Sequence, residues 1–328
     1  MKTMQQIRFS AYGGPEVLET AEVPVPVPGP GEVLIQIEAA GVNYSDTLRR
    51  RNTYFAPTPL PYVPGAEAVG IVRAAGAGAE LAPGTRVLAI LPAGGGYAEY
   101  AVMPAWYGVP VPPQIDPAAA TAIFVQGSTA YLMLAHLTDG LAGKSVLIHA
   151  AAGGVGSLLV QLARVLGAQT VIATAGSEAK LDLARSLGAD AAVNYRQPGW
   201  PAQVTAANGG KPVDVILETV GGDIFSESFK CLAVNGRMIV YGAASGVQGV
   251  LHSEQLPNGG HSVLGFNLAH FINSRMADWQ AGLGAVIGLM LEGSLQVHVA
   301  HRFPLADAAQ AHAAIEARET AGKVVLIP

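Results

Sequence analysis

The stretch SVLIHAAAGGVGSLLVQLARVLG, Ser145–Gly167, reads as a buried strand, a glycine turn and a helix in direct succession. Val146, Leu147 and Ile148 form the short aliphatic run that a parallel strand covered on both faces requires. Leu158, Leu159, Leu162, Val165 and Leu166 then recur at helical spacing, and Gly167 supplies a C-terminal stop. Between them lies a variant of the dinucleotide fingerprint GxGxxG, with Ala151 at the first glycine position, Gly153 at the second and Gly156 at the third. A side chain at 153 would hold the backbone away from a pyrophosphate, and one at 156 would push the helix off the strand. Ala152, Gly153, Gly154, Val155 and Gly156 are the expected cradle, with the anion on the unpaired N–H groups of the helix N-terminus. In a chain with 40 glycines such a turn alone also fits a bend that binds nothing, so the elements around it decide.

Those elements change style part-way along the chain. Up to about Val125, short β-rich runs at Ile7–Phe9, Val33–Ile37, Ala68–Arg73, Arg86–Ile90 and Tyr97–Val102 are punctuated by Gly and Pro, which predicts an all-β domain. The Pro-rich Val23–Gly31 reads as an extended linker between early strands. From about Gln126, strands at Thr170–Ala175, Ala191–Tyr195, Val213–Val220, Arg237–Gly242 and Ser262–Phe266 alternate with helices at Ser177–Leu187 and Asp223–Leu232. Alternation of this kind predicts an α/β, doubly wound parallel sheet with helices on both faces. A long helix at Asn273–Leu291 follows, with Trp279, Leu283, Val286, Leu289 and Met290 on its apolar side. Strands at Val297–Phe303 and Lys323–Ile327 then flank an alanine-rich helix, Leu305–Ala317. An apolar strand at the chain end needs a sheet to join, so the C-terminal segment is expected to fold back onto the first domain and leave a cleft. The expected division is 1–126 with 268–328 as one domain and 127–267 as the nucleotide-binding domain.

With 328 residues and 50% hydrophobic content, the chain can fill two sizeable cores. Its net charge of −5, without a basic block or stripe, argues against nucleic acid as a partner. The single cysteine, Cys231, excludes an internal disulfide framework and a cysteine zinc cluster and reads as a buried bystander. The N-terminus has no apolar core of signal-peptide length, and Ala281–Leu291 is too short to span a bilayer. The expectation is a soluble, cytoplasmic protein.

An NAD site carries an acidic residue at the tip of the second strand to hold the ribose 2′-hydroxyl. Here that strand ends Ala173, Thr174, Ala175, Gly176, Ser177, without a carboxylate. Ser177 can cap the next helix and Lys180 lies in its first turn, a combination suited to a 2′-phosphate dianion. NADPH is therefore the expected cofactor. Glu178 is discordant, although in a first helical turn it can point outward and favour the helix dipole.

The chain resembles the zinc-independent quinone oxidoreductase (zeta-crystallin-like) group of the medium-chain dehydrogenase/reductase superfamily over essentially its whole length. The resemblance rests on AYGGPEVLE at Ala11–Glu19, AAGVNYSDTLRR at Ala39–Arg50, VPGAEAVGIV at Val63–Val72, HAAAGGVG at His149–Gly156, GAD and VNYR within Gly188–Arg196 and GKVVLIP at Gly322–Pro328. It implies a Rossmann domain joined to a GroES-like, mostly β catalytic domain, and a homodimer built through the strand near Ser262–Phe266. Zinc-dependent relatives carry a cysteine near the position of Asn43 and a histidine where this chain has Ala66 in Gly65-Ala66-Glu67. Without thiolate and imidazole no tetrahedral zinc site is expected.

The resemblance further implies hydride transfer from NADPH to a quinone or an α,β-unsaturated carbonyl. It places Asn43 and Tyr54 near nicotinamide and substrate, as hydrogen-bond or proton donors to the acceptor oxygen. Read simply as residues, Asn43 also fits a turn cap, Tyr54 beside Phe55 a pocket wall, and Asp46 a loop or helix cap. The carried-over cofactor positions are Asn43, Thr129, Gly176, Ser177, Lys180, Tyr195, Gly242, Ala243, Ser245, Phe266, Asn267 and Lys323, the last at the cofactor phosphates. Three readings remain at this point: a quinone reductase, an enal, enone or enoyl-thioester reductase with Arg49, Arg50 and Arg51 as a basic entrance, and a non-catalytic NADPH-binding sensor or structural protein.

Overall fold

In the computed structural model, which describes residues 2–328, strand β1 (Thr3–Arg8) pairs antiparallel with β2 (Glu19–Pro24). The stretch read as a linker from Val23 thus begins inside a strand. Pro24 lies opposite Thr3 at the strand's end, where a missing N–H is least costly. Next come β3 (Glu32–Val42), helix α1 (Tyr44–Arg50), β4 (Glu67–Ala75), β5 (Arg86–Ile90), β6 (Tyr100–Pro104), β7 (Gly108–Pro110) and the short α2 (Pro117–Ala120). β3 pairs antiparallel with both β4 and β6, and β5 links β4 to β7. It runs past the expected end at Ile37 because Ala39, Ala40 and Val42 are buried as well.

A π-helical turn, Ile123–Gly127, leads into α3 (Ser128–Leu137). Then follow β8 (Ser145–Ile148), α4 (Gly154–Val165), β9 (Thr170–Ala175), α5 (Glu178–Ser186), β10 (Ala191–Asn194), α6 (Trp200–Ala207), β11 (Val213–Glu218), α7 (Gly222–Ser228), β12 (Leu232–Val240), α8 (Gln255–Gly259) and β13 (Ser262–Gly265). The six strands form one parallel sheet in the order β10-β9-β8-β11-β12-β13. In chain rank that is the doubly wound dinucleotide-binding order. Every residue of β8 is buried, as a central strand covered on both faces requires. Leu147, Ile172, Ile216, Phe225 and Met238 build the core around it, each fully buried aliphatic or aromatic side chain contributing about 1.5–3 kcal/mol. Cys231 belongs to the same core, where burial pushes its thiol up to about 12.

The expected long helix is two, α9 (Leu268–Ser274) and α10 (Met276–Leu291), broken at Arg275. On α10, Trp279, Leu283 and Val286 are buried, and Gly282 lets Leu132 of α3 approach. That packing moves the division of the chain. The compact units are Met1–Val125 with Val297–Pro328, and Gln126–Gln296, so residues 268–296 join the nucleotide-type unit rather than the β unit expected from sequence. β14 (His301–Pro304), α11 (Ala308–Glu316) and β15 (Val324–Ile327) complete the first unit. β15 pairs antiparallel with β3 and parallel with β14, closing the order β14-β15-β3-β4-β5-β7.

Candidate functional site

In the first unit the site grows from the junction of β3 and α1. Asn43 is the N-cap residue of α1, with extended backbone. Its N–H donates to Asp46 Oδ2 at 2.9 Å, so Asp46 is the back-bonding third residue of the helix rather than its cap. Sheet register brings two charges to the same point. Val324 pairs with Val42, which sets Lys323 beside Asn43, and Ala68 pairs with Ala40, which sets Glu67 beside Gly41. Lys323 Nζ lies 2.5 Å from Glu67 Oε1 with both side chains fully buried. Asn43 Nδ2 donates to the same oxygen at 2.8 Å, and Val125 N donates to Glu67 Oε2 at 2.9 Å. A Cβ at position 41 would stand 2.5 Å from Glu67 Oε1, so glycine there makes room for the pair. Lys323, expected at the cofactor phosphates, has its ammonium committed to Glu67, because a buried ammonium needs a counter-charge where it sits.

A second set of contacts leads outward from Asp46. Arg50 Nη1 lies 3.2 Å from His312 Nδ1, His312 Nε2 lies 3.0 Å from the Tyr97 hydroxyl, and that hydroxyl lies 3.3 Å from Asp46 Oδ2. Guanidinium only donates, so Nδ1 accepts, Nε2 carries the proton to Tyr97, and Tyr97 donates to Asp46. Arg50 ends the chain on Glu316 at 2.6 Å. Burial, aided by Arg50, pushes His312 down to about 3; burial alone does the same to His149, held in the second unit by Thr174 at 2.7 Å and Ser228 at 2.9 Å. Burial raises Asp46 to about 6 against the bond from Asn43.

These shifts fix the pH dependence of stability. Each histidine is lowered from 6.5, so its contribution is whole above that pH and is lost as pH falls towards about 3. Asp46 is raised from 3.8, so its contribution is present below that value and lost as pH rises through about 6. The two histidine shifts exceed those of Asp46 and of Glu218, whose carboxyl burial also raises from 4.5, so stability is expected to rise between pH 4 and 6.5, by at most about 1.4 kcal/mol per pH unit for each net proton. Urea unfolding across that range checks it; a flat or falling profile contradicts the neutral, buried histidines.

Tyr54 is half-buried, its ring 4.2 Å from the Arg49 guanidinium and 4.2 Å from the ring of exposed Phe55. Burial raises its phenol, opposed by the Arg49 charge, so at neutral pH the hydroxyl keeps its proton and can donate.

In the second unit the expected cofactor residues gather at the carboxyl ends of the parallel strands, where ligands of this sheet type bind. Gly153 caps α4 with extended backbone, and Ala150 before it adopts a positive φ of 49°. A Cβ on Gly156 would lie 2.3 Å from Ala150 O, so the α4–β8 approach excludes any side chain. Ala152 is buried beneath the turn, and Thr129 is buried at the start of α3. Past β9, Ser177 is the N-cap of α5 but makes no side-chain cap bond, unlike the sequence reading, which leaves the hydroxyl outside the helix's own hydrogen bonding. Lys180 is in the first turn of α5 and Tyr195 follows β10. Arg196, overlooked in the sequence, lies over Gly176, where a Cβ would stand 2.9 Å from its Nε. Its signal was its place directly after Tyr195 in VNYR.

Beyond β12, Gly242 has no room for a side chain against Thr219, and the Ser245 hydroxyl is bonded within its own loop to Val247. Phe266 follows β13, and the Asn267 side chain caps α9 by accepting from His270 N at 3.0 Å. Glu218, also unmarked in the sequence reading, ends β11 fully buried and accepts from Val220 N at 2.6 Å and Gly221 N at 2.8 Å. Glycines that admit a close backbone approach, a helix N-terminus, Arg196 over Gly176 and Lys180 in the first turn of α5 together fit a phosphorylated dinucleotide.

Two family models match the chain: the alcohol dehydrogenase GroES-like domain over residues 29–113 and the zinc-binding dehydrogenase over residues 154–286. The chain is 35% identical over 326 residues to the quinone oxidoreductase of Pseudomonas aeruginosa, covering 99% of each. It belongs to the quinone oxidoreductase family. Within reach of that family it is also 36% identical over 326 residues to a 2-haloacrylate reductase from a Burkholderia species, covering 96% of each chain. The crystal structure of Escherichia coli quinone oxidoreductase complexed with NADPH superposes with a TM-score of 0.91 at 33% identity, covering 99% of this chain and 100% of that one. One matching family model carries zinc in its name. Among the described residues of this family member, no group of three or more His, Cys, Asp or Glu side chains is placed to hold a metal ion. Nor is any described helix long and apolar enough to cross a membrane.

Proposed function

We propose that this chain is an NADPH-dependent, zinc-independent oxidoreductase that reduces a quinone. The observation that carries the reading is the end of β9, which reaches Ser177 without a carboxylate and has Arg196 over Gly176, in a chain that is 35% identical to a quinone oxidoreductase; Lys180 and Glu178 share the first turn of the helix that follows. NADPH, when bound, supplies the hydride. The chain's own residues do the rest. The N-terminus of α4 holds the pyrophosphate, and Lys180, Arg196, Ser177 and Tyr195 hold the 2′-phosphate. Asn43, its amide oriented by Glu67 and its backbone by Asp46, donates to the oxygen on which charge accumulates. Tyr54 lines the acceptor and donates from a phenol that burial keeps protonated. Zinc independence is supported by residue type, since neither the amide of Asn43 nor the methyl of Ala66 offers a thiolate or imidazole ligand.

The same chemistry serves a conjugated C=C acceptor, a second reading favoured by the 36% identity to a 2-haloacrylate reductase. The edge position of β13 supports a homodimer, and the family supports a cytoplasmic location. NADPH oxidation followed by absorbance against benzoquinone, phenanthrenequinone and an alkenal tests the reading. Quinone turnover is expected; turnover confined to the alkenal moves the protein to the C=C reductases. Asn43→Ala is expected to lower kcat on benzoquinone about 10- to 100-fold. An unchanged kcat removes Asn43 from the chemistry.

A further inference from the structure

Arg49, Arg50 and Arg51 are consecutive on and just after α1, yet the fold treats them differently. Arg50 and Arg51 both reach Glu316, at 2.6 and 3.3 Å. No carboxylate of the described residues lies within 4.0 Å of Arg49. Its guanidinium instead stands 4.2 Å from the Tyr54 ring centroid and 5.8 Å from that of Tyr62, with Nη1 3.5 Å from Thr58 Oγ1. The nearby acid on the same helix, Asp46, already accepts from Asn43 N and Tyr97. A half-buried guanidinium held between aromatic faces is fixed in plane, carries five donors and lacks a counter-ion. Its fork matches a carboxylate, and the exposed ring of Phe55, tilted 41° to that of Tyr54, offers an apolar wall for a small planar chain.

We propose that Arg49 is the carboxylate anchor of an acceptor subsite, and that the chain reduces a short 2-enoate as well as neutral acceptors. This rests on the NADPH-oxidoreductase reading above. In the step, the β-carbon gains a hydride from NADPH and a C–H bond forms there. The C=C pair shifts towards the carboxyl oxygens, and the α-carbon then takes a proton from solvent, giving the saturated acid and NADP⁺. Charge grows on the oxygens that Arg49 holds, so the contact strengthens as the reaction proceeds.

The test compares 2-chloroacrylate, its methyl ester and benzoquinone as acceptors for NADPH oxidation by the wild type, Arg49→Met and Arg49→Lys. Arg49→Met is expected to lower kcat/KM for 2-chloroacrylate about 30- to 100-fold, the worth of one bidentate charged contact. The ester and benzoquinone are expected to change less than about 3-fold, and Arg49→Lys, which keeps charge without the fork, to fall between. 2-Chloropropionate should inhibit benzoquinone reduction by the wild type and not by Arg49→Met. Equal losses on all three acceptors would show that Arg49 only steadies Tyr54 and Thr58 and would overturn the proposal. Benzoquinone turnover without turnover of 2-chloroacrylate overturns the proposal and leaves the quinone reading standing; no oxidation with any acceptor overturns both.

Discussion

Lys323→Met is expected to destabilise the protein by about 3–5 kcal/mol, because it strands the Glu67 carboxylate without a counter-charge in the interior of the β unit. Both side chains are fully buried, and the remaining donors to Glu67, Asn43 Nδ2 and Val125 N, are neutral. Hydrogen bonds alone do not offset the desolvation of a carboxylate at that depth. Adding Glu67→Met to the same chain should recover most of the loss, since exchanging both charges for packed apolar groups is often neutral. The double-mutant cycle, read by urea unfolding, therefore separates a coupled pair from two independent residues. A loss below about 1 kcal/mol for the single variant would mean that the pair is solvated. The pair also holds Asn43, so the double variant is expected to fold well and reduce quinones poorly.

The second large effect is on cofactor choice. Lys180→Ala and Arg196→Ala are each expected to raise the dissociation constant for NADPH about 10-fold, and together about 100-fold, with NADH nearly unchanged. Arg196 lies over Gly176 and Lys180 is in the first turn of α5, the two cations proposed above for the 2′-phosphate and not for the rest of the dinucleotide. Because Arg196 is exposed, its effect should shrink at high salt. Fluorescence titration with each nucleotide reads this directly. Equal losses for NADPH and NADH would place the two cations elsewhere than at the 2′-phosphate.

How far the sequence could be read depended on the range of the interaction concerned. The strand-turn-helix at Ser145–Gly167 was legible because its signals are local: an aliphatic run, glycines at fixed spacing and a helical stripe. β5 and β9 were found at their observed limits for the same reason. The helix break at Arg275 and the packing of α10 on α3 were not, since the contact of Gly282 with Leu132 joins residues far apart in the chain. The same holds for the candidate site. Asn43 and Lys180 sit in local motifs and were named, whereas Glu67 became meaningful only when two sheet registers, Ala40 with Ala68 and Val42 with Val324, brought it to Lys323. Asp46 and Ser177 were assigned capping roles on residue type; backbone geometry gave Asp46 the third helical position and left the Ser177 side chain without a cap bond. Arg49 read as one of three arginines of a basic entrance until Glu316 was seen to take the other two.

The most direct test of the account is the ratio of kcat/KM for NADPH over NADH with benzoquinone as acceptor, measured with and without a strong chelator. Quinone-dependent oxidation that prefers NADPH by about 10-fold or more, unaffected by the chelator, is the predicted result. A preference for NADH, or activity lost on chelation and restored by zinc, would contradict it.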